Sequence, residues 1–313
     1  MRLVFCGTPR FAVPTLEALL AAGHEIPLVV TQPDRPVGRS QELAAPPVKQ
    51  AAVAAGLSVI QPEKIRNNTE FRALLEAIAP DAIVVVAYGR IIPPWMLALP
   101  RLGCINLHAS LLPKYRGAAP IQWAVAMGET VTGNTTMLLE EGLDTGPILL
   151  QQQVPIAPEQ TGADLFDVLA HAGAPLMVET LAGLENGTIK PRLQEHALAT
   201  LAPLLDREDG RMDFAARTAA ELKNRWRGFQ PWPGAFTTLE GKKLIVHRMD
   251  LAEPVNAASA APGEMRFENH RIFAACARGT WLELLELQLE GKKRLAAAEF
   301  LRGMQLAPGA RLG

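Results

Sequence analysis

The sequence predicts an α/β protein in which a doubly wound, mostly parallel sheet precedes a small all-β barrel or sandwich. Over the first two-thirds of the chain, short β-rich segments alternate with helical patterns, as in a sheet with helices on both faces. Segment 82–86 is apolar at every position, which is typical of an interior parallel strand. From Arg211 onward, one helical pattern precedes short strand patterns separated by Gly and Pro, which favours an all-β domain.

These patterns place the elements as follows. In the first domain, strands are expected at residues 3–6, 26–31, 57–61, 81–87, 103–107, 134–139 and 148–154, and helices at 15–22, 48–55, 69–78, 121–127 and 163–184. Pro175 predicts a kink or a break in the last helix. In the second domain, a helix is expected at 215–226 and strands at 235–239, 244–249, 271–275 and 281–288. The predicted domains are 1–188 and 206–313, with a linker at 189–205.

Composition bounds the class of protein. The chain has 313 residues, of which 49% are hydrophobic and 20% charged, so it is globular and long enough for two cores. Its three cysteines are odd in number and lack zinc-like spacing, which argues against a disulfide framework or a metal site. No secretory leader is recognisable, and no segment looks long and apolar enough to span a bilayer. We therefore expect a cytoplasmic protein with no membrane partner.

Charge is unevenly distributed along the chain. Residues 1–205 contain 14 Lys and Arg against 18 Asp and Glu, whereas residues 206–313 contain 17 against 14. A mildly basic second domain is compatible with a polyanionic partner. Chance variation of a solvated surface explains the same numbers, so charge alone leaves both interpretations open.

The densest motif runs from Cys104 to Gly117. Asn106 and His108 lie two residues apart at the end of a predicted strand, so both side chains are expected on one face of the sheet. An amide and an imidazole side by side suit acyl-type transfer, since the amide donates to a developing oxyanion and the imidazole moves a proton. The alternative is a histidine that only satisfies hydrogen bonds at a strand end.

A second motif, residues 140–146, places Asp144 between two glycines after another predicted strand. A carboxylate beside a histidine fixes its tautomer, stabilises the imidazolium or holds a water molecule. The alternative is an ordinary Asx turn, which such sequences often form.

A third motif, residues 31–39, contains two prolines, a glycine, Arg35 and Arg39. We expect a loop that is neither strand nor helix, and that offers the two arginines to phosphates. A solvated surface loop is the alternative.

The turn after the first strand contains neither the Gly-x-Gly-x-x-Gly nor the Walker pattern, so neither NAD nor ATP is inferred.

Together these motifs resemble the folate-dependent formyltransferases, and along nearly the whole chain the methionyl-tRNA formyltransferase family. That superfamily has an Asn, His and Asp set, which Asn106, His108 and Asp144 match. Residues 32–39 look like the family's inserted loop, which contacts the acceptor stem, and 229–234 and 287–293 look like parts of its tRNA-binding domain. The resemblance implies a Rossmann-like formyltransferase domain followed by an OB-like barrel.

The resemblance also implies an activity: transfer of a formyl group from 10-formyltetrahydrofolate, as co-substrate, to the amine of methionyl-initiator tRNA. No metal is implied, and a monomer is expected. The implied folate contacts are Ser110, Leu111, Leu112 and Pro113, and the implied tRNA contacts are Arg35, Arg39, Lys292 and Lys293.

Three departures from the family and two rival functions bear on these expectations. Ser40-Gln41-Glu42 replaces further lysines of the family loop, Asn134 stands where an apolar strand residue is usual, and Leu204 where the linker often has a lysine. One rival is a UDP-aminosugar formyltransferase, which shares the folate site. The other is a non-catalytic RNA-binding protein, which has no need of the Asn, His and Asp set.

Overall fold

The structure is a computed structural model that describes residues 1–37, 42–252, 260–304 and 310–313. The chain forms two compact units. Unit 1 comprises Met1–Pro120, Val131–Pro155 and Asp164–Pro203, and unit 2 comprises Ile121–Thr130, Ile156–Ala163 and Leu204–Gly313. Most of the predicted linker thus groups with unit 1, and two short segments of the predicted first domain group with unit 2. The predicted boundaries themselves stay a prediction.

Among the described residues, unit 1 contains nine strands. They are β1 Arg2–Gly7, β2 Glu25–Val30, β3 Arg35–Val37, β4 Glu42–Ala44, β5 Val59–Ile60, β6 Ala82–Val86, β7 Cys104–His108, β8 Val131–Leu138 and β9 Ile148–Pro155. The first six helices of the chain are α1 Val13–Ala21, α2 Pro47–Ala54, α3 Thr69–Ile78, α4 Pro94–Leu97, α5 Pro120–Ala126 and α6 Gly162–Glu185. Of these, α5 lies almost entirely in unit 2.

Seven of these strands form the main sheet, in the order β5-β2-β1-β6-β7-β8-β9. The first five are parallel, and β8 and β9 extend the sheet antiparallel. β6 is buried at all five positions because it pairs on both sides and has its two faces covered. The predicted mostly parallel α/β fold is confirmed, and the carboxyl ends of β1, β2, β6 and β7 meet at one edge of the sheet.

The β3–β4 hairpin corrects the sequence prediction, which excluded strands from residues 31–39. Arg35 pairs with Ala44, and Pro36 with Leu43, in an antiparallel ladder. A two-stranded ribbon uses the N–H of alternate residues only, so a proline is tolerated where the N–H would point away from the partner strand. Arg39 and its neighbours 38, 40 and 41 lie outside the described residues.

Helix α6 runs unbroken through Pro175, so of the two predicted alternatives the break is wrong and the kink stays a prediction. It packs against the sheet through Asn134, which is fully buried on β8 and donates its amide N–H to the Leu169 carbonyl at 2.9 Å. That bond satisfies the amide N–H, whereas the Asn134 Oδ1 is buried with no hydrogen-bond partner among the described residues.

Length and composition make α6 apolar enough to cross a membrane, contrary to the sequence expectation, although half of its apolar window is buried inside the protein. Core helices pass the same test. Leu165, Leu169, Met177 and Leu181 are buried to 2% exposure or less, as in a core helix. The length and composition of α6 are therefore no argument for a membrane.

Unit 2 contains an antiparallel sheet consistent with a small barrel. Besides α5, its elements are α7 Ala219–Gly228, β10 Phe236–Leu239, β11 Lys242–Ala252, β12 Met265–Glu268, β13 Arg271–Ala275, β14 Trp281–Leu289, β15 Leu295–Ala296 and α8 Ala297–Gly303. The sheet order is β10-β11-β14-β13-β12, and β15 pairs with β14. Helix α7 begins at Ala219 rather than at the predicted 215 because Thr218 and Glu221 form a capping box there.

Candidate active site

Strand β7 presents Asn106 and His108 on one face of the sheet. Both are at least nine-tenths buried, and Asn106 is in register with Val85 of β6. On the opposite face, Leu107 contacts α6 so closely that a side chain at Gly173 would meet the Leu107 methyl groups. Within the described part of the chain, the Asn106 amide makes no hydrogen bond, so its N–H groups remain available to a ligand.

His108 has a defined orientation and tautomer. Its Nε2 lies 2.9 Å from the carbonyl oxygen of Tyr115. Because a carbonyl only accepts, Nε2 carries a proton, and a neutral ring therefore has its lone pair on Nδ1. Nδ1 is the ring nitrogen that can gain or lose a proton while the bond to Tyr115 is kept.

Asp144 faces that nitrogen. Its Oδ2 lies 3.7 Å from His108 Nδ1 and accepts a hydrogen bond of 2.9 Å from the Gly117 N–H. The carboxylate therefore bonds to backbone 27 residues away rather than to its own turn, which disfavours the Asx-turn interpretation. At 3.7 Å the pair is too long for a hydrogen bond, but close enough for the carboxylate to stabilise an imidazolium.

The loops that hold this pair are backbone-strained. Tyr115 and Asp144 have φ angles of 61° and 50°, in the left-handed region that side chains rarely adopt. Such strain persists where surrounding contacts impose it, and it clusters at functional sites. Here it aims the Tyr115 carbonyl at Nε2 and the Asp144 carboxylate at Nδ1.

A strap of residues 192–202 supplies those contacts. Its Gln194 donates from Nε2 to the carbonyl oxygens of Asp144 and Gly146, at 2.9 and 2.7 Å, and accepts from the buried guanidinium of Arg116 at 3.1 and 2.6 Å. The strap also bonds to Arg116 through backbone, with Arg116 N–H donating to Thr200 and Ala202 N–H donating to Arg116. Gln194 thus ties the loop before α5 to the loop that carries Asp144.

The expected folate contacts divide into two pairs. Ser110 is fully buried and donates to the Lys114 carbonyl at 2.6 Å, and Leu112 packs among Met137 and Ile148. Leu111 and Pro113 are half-buried. Side-chain contact with a ligand is therefore open to Leu111 and Pro113, whereas Ser110 and Leu112 shape the loop.

The residues expected to contact tRNA belong to different units of the chain. Arg35 lies exposed on β3 in unit 1 and lines a cleft beside the sheet edge. Lys292 and Lys293 are exposed in unit 2, in the turn between β14 and β15. Arg39 lies outside the described residues.

The cysteines are buried free thiols. Burial raises the pKa of Cys104 and of Cys276 to about 12, and raises the pKa of Cys6 as well. These thiols are therefore protonated and unsuited to nucleophilic chemistry. In the described ranges, no group of three or more His, Cys, Asp or Glu residues is arranged to hold a metal ion.

Sequence reasoning missed Gln194 and the role of Arg116. Gln194 sits in a segment predicted as a linker, and nothing in its neighbours marks it as buried. Arg116 belongs to the densest motif, but its partner lies 78 residues away. Because Gln194 and Arg116 are far apart in the sequence, a local sequence pattern does not reveal that they pair.

Comparison with known proteins identifies the fold and the family. Residues 1–181 match the formyl transferase family model, and residues 204–305 match that of the formyl transferase C-terminal domain. The methionyl-tRNA formyltransferase of Acidobacterium capsulatum is 70% identical, over the full length of both chains. That of Koribacter versatilis is 60% identical over 100% of this chain and 99% of its own.

Comparison with solved structures supports the same fold. An N-formyltransferase from Helicobacter canadensis, in complex with folinic acid and dTDP-3-aminofucose, superposes with a TM-score of 0.64 at 19% identity, covering 90% of this chain and 98% of its own. HypX from Aquifex aeolicus, in complex with tetrahydrofolic acid, has a TM-score of 0.60 at 18% identity, covering 98% of this chain and 49% of its own. The two domain matches and the full-length relatives together place the chain in the formyl transferase family, among the methionyl-tRNA formyltransferases.

Proposed function

We propose that the protein transfers the formyl group of 10-formyltetrahydrofolate to the α-amine of methionine on initiator tRNA. The observation that carries this is the arrangement of Asn106, His108 and Asp144 at the end of β7, in a chain whose full-length relatives are methionyl-tRNA formyltransferases. The related sugar formyltransferases are below 20% identity and share the fold only.

The reaction exchanges one carbon–nitrogen bond for another. The methionine amine attacks the formyl carbon of the donor, and its carbonyl oxygen becomes an oxyanion. The bond from that carbon to N10 then breaks, N10 gains a proton, and the amine loses one. No other co-reactant is consumed, so the protein has to stabilise the oxyanion and move a proton.

Asn106 suits the first task. Its buried amide has no competing hydrogen bond in the described residues and faces the same side of the sheet as His108. A preorganised amide N–H aimed at a developing oxyanion contributes on the order of 10²–10³ in rate.

His108 and Asp144 suit the second task. The bond from Nε2 to Tyr115 holds the ring still while Nδ1 gains or loses the proton. The carboxylate 3.7 Å from Nδ1 stabilises the ring when it is positively charged. A water molecule between the two groups would complete the path from the amine to N10.

The folate donor is placed along residues 86–93 and 110–113, beyond the carboxyl ends of β6 and β7. Ligands of open α/β sheets bind at this edge. Leu111 and Pro113 offer half-buried apolar surface to the pterin. Arg35 and Arg39 of the hairpin region and Lys292 and Lys293 of unit 2 are proposed to contact tRNA phosphates.

We place the enzyme in the cytoplasm as a monomer, free of membrane. All three proposed catalytic residues belong to unit 1 of one chain, so the site needs no residue from a second copy. Initiator tRNA, its proposed acceptor, is cytoplasmic.

The test is an acceptor competition. Formyl transfer from 10-formyltetrahydrofolate is measured with methionyl-initiator tRNA, methionyl-elongator tRNA and a UDP-aminosugar in one reaction. The proposal predicts selective formylation of the initiator. Formylation of the sugar alone would keep the folate chemistry and overturn the acceptor.

A further inference from the structure

Beside the proposed catalytic residues lies a cleft of about 560 Å³. We call it the proline–alanine cleft, because four prolines and three alanines dominate its walls. It is lined by Thr8, Pro9, Gln32, Pro33, Arg35, Ala44, Ala45, Pro46, Pro47, Ala87, Tyr88 and Gly89.

The cleft adjoins the end of β7. Its residues follow β1, β2 and β6 at their carboxyl ends, and β6 is the strand next to β7 in the sheet. Neighbouring strands are about 5 Å apart, so the Ala87–Tyr88–Gly89 wall is about one strand spacing from the strand carrying Asn106 and His108. A group bound in the cleft can therefore extend from an amine placed at those residues.

Arg35 is exposed and is proposed to contact tRNA phosphate, whereas the polar side chains of Thr8 and Gln32 bond within the walls. Thr8 Oγ1 donates to the Tyr88 carbonyl at 3.1 Å, and Gln32 Nε2 donates to the carbonyls of Tyr88 and Gly89 at 3.1 and 3.2 Å. The two bonds from Gln32 Nε2 fix the orientation of the Gln32 amide. Gln32 Oε1 and Tyr88 Oη are buried and have no hydrogen-bond partner among the described residues. The surface facing the cleft is mainly apolar.

The hairpin wall is anchored. Lys49 on α2 donates to both oxygens of Asp34, at 2.9 and 2.7 Å, and to Gln61 at 2.7 Å, while Gln61 donates to Asp34 at 2.7 Å. The hydrogen bonds from Lys49 and Gln61 lower the pKa of Asp34. Prolines fix their own φ, so the wall loses little conformational freedom when a ligand binds.

We propose that the proline–alanine cleft holds the thioether side chain of the acceptor's methionine. This rests on the proposed function and adds the residues that recognise the amino acid. The wall formed by Ala87, Tyr88 and Gly89 belongs to the stretch 86–93 beside which the folate donor is proposed, so the cleft and the folate site share that wall. A pterin or an adenine inside the cleft itself would bury hydrogen-bonding edges against a mainly apolar surface, at a cost in affinity. Methionine has an unbranched, polarizable side chain without hydrogen-bonding demand, and it packs well into irregular apolar surfaces.

The experiment charges the same initiator tRNA with either methionine or alanine and measures kcat/KM for both. Alanine lacks the three atoms that would enter the cleft, so wild-type enzyme should prefer methionine by about 10²-fold. Two variants, Ala44→Phe and Ala45→Phe, fill the cleft from the hairpin. In at least one of them, the preference should fall tenfold or more, while kcat/KM for the alanyl acceptor stays within about threefold.

Leu43→Phe is the matched control. Leu43 lies on the same strand, is 73% exposed and does not line the cleft. Its variant should keep the wild-type preference. Binding of tetrahydrofolate, measured by fluorescence quenching, should be unchanged in all three variants.

Each other outcome overturns the proposal. A wild-type enzyme without preference for methionine, or an unchanged preference in both filled variants, would show that the side chain binds elsewhere. Loss of tetrahydrofolate binding in the filled variants would assign the cleft to the folate. If wild-type enzyme does not formylate methionyl-initiator tRNA at all, the proposed function is refuted instead. This outcome is distinguishable from the others because the wild-type assay alone reveals it.

Discussion

Replacing Gln194 by alanine should both destabilise the protein and slow turnover. Gln194 accepts two hydrogen bonds from the Arg116 guanidinium, which is 7% exposed, and donates two to the loop that carries Asp144. Hydrogen bonds to charged groups contribute about 1.5–3 kcal/mol each, and a buried charge that keeps only its contact with His196 Nδ1, at 3.2 Å, is costly. We therefore expect the free energy of unfolding to fall by about 3–5 kcal/mol.

The effect on turnover follows from geometry. Without Gln194, the Asp144 loop loses its tie to the strap, and the carboxylate drifts from Nδ1 of His108. A displacement of about 1 Å at a catalytic group costs on the order of 10² in rate. We expect kcat to fall by at least tenfold, with little change in KM for the folate.

Two further variants separate the effect of Gln194 on stability from its effect on the position of Asp144. Gln194→Glu keeps an acceptor for Arg116 but sets an acceptor oxygen against the carbonyls of Asp144 and Gly146, so it should regain only part of the lost stability and none of the lost kcat. Glu195→Ala, at an exposed neighbour, is the control. Urea denaturation and steady-state formyl transfer are the assays. A loss of stability below about 1 kcal/mol in Gln194→Ala, or wild-type kcat in Gln194→Glu, would refute the reasoning.

Two other variants and the reactivity of one thiol have defined outcomes. Asn106→Ala should lower kcat by about 10²–10³ with folding intact by circular dichroism, and a loss below tenfold would remove Asn106 from the oxyanion role. Arg39→Ala should weaken tRNA binding and reduce the slope of log affinity against log salt by about one, so an unaltered slope in filter binding would mean no phosphate contact. Because burial raises the pKa of Cys104 to about 12, its thiol should resist alkylation at pH 8 in the native protein and react in denaturant, as followed by mass spectrometry. Rapid alkylation of the native protein would contradict the burial. Because unfolded thiols ionise near pH 8.5 and the buried Cys104 thiol does not, the free energy of unfolding should fall as pH rises from about 9 towards 12.

The main sheet was predictable because its strands carry strong local signals. The apolar run 82–86 became the fully buried β6, and the two-residue spacing of Asn106 and His108 put both on one face of β7. Periodicity depends on neighbouring residues, so a single sequence displays it.

The β3–β4 hairpin was missed for a local reason. Prolines and a glycine argue against a strand by composition, but a two-stranded ribbon leaves half of its N–H groups unpaired and tolerates them. The pairing that overrides the composition is made with β4, a separate stretch of the chain.

The strap was missed for a long-range reason. Gln194 and Arg116 meet across 78 residues, and the left-handed backbone of Tyr115 and Asp144 depends on contacts of that kind. Pattern reasoning proposed the catalytic set from residue types, but not the residues that hold it in place.

The most direct test of the account is single-turnover formyl transfer by Asp144→Asn, with enzyme in excess over formyl donor and methionyl-initiator tRNA saturating. The asparagine keeps an oxygen to accept from Gly117 N–H but removes the charge that faces His108 Nδ1. The account predicts a rate at least 10²-fold below wild type, with tetrahydrofolate binding unchanged. A wild-type rate would contradict the claim that this pair moves the proton in formyl transfer.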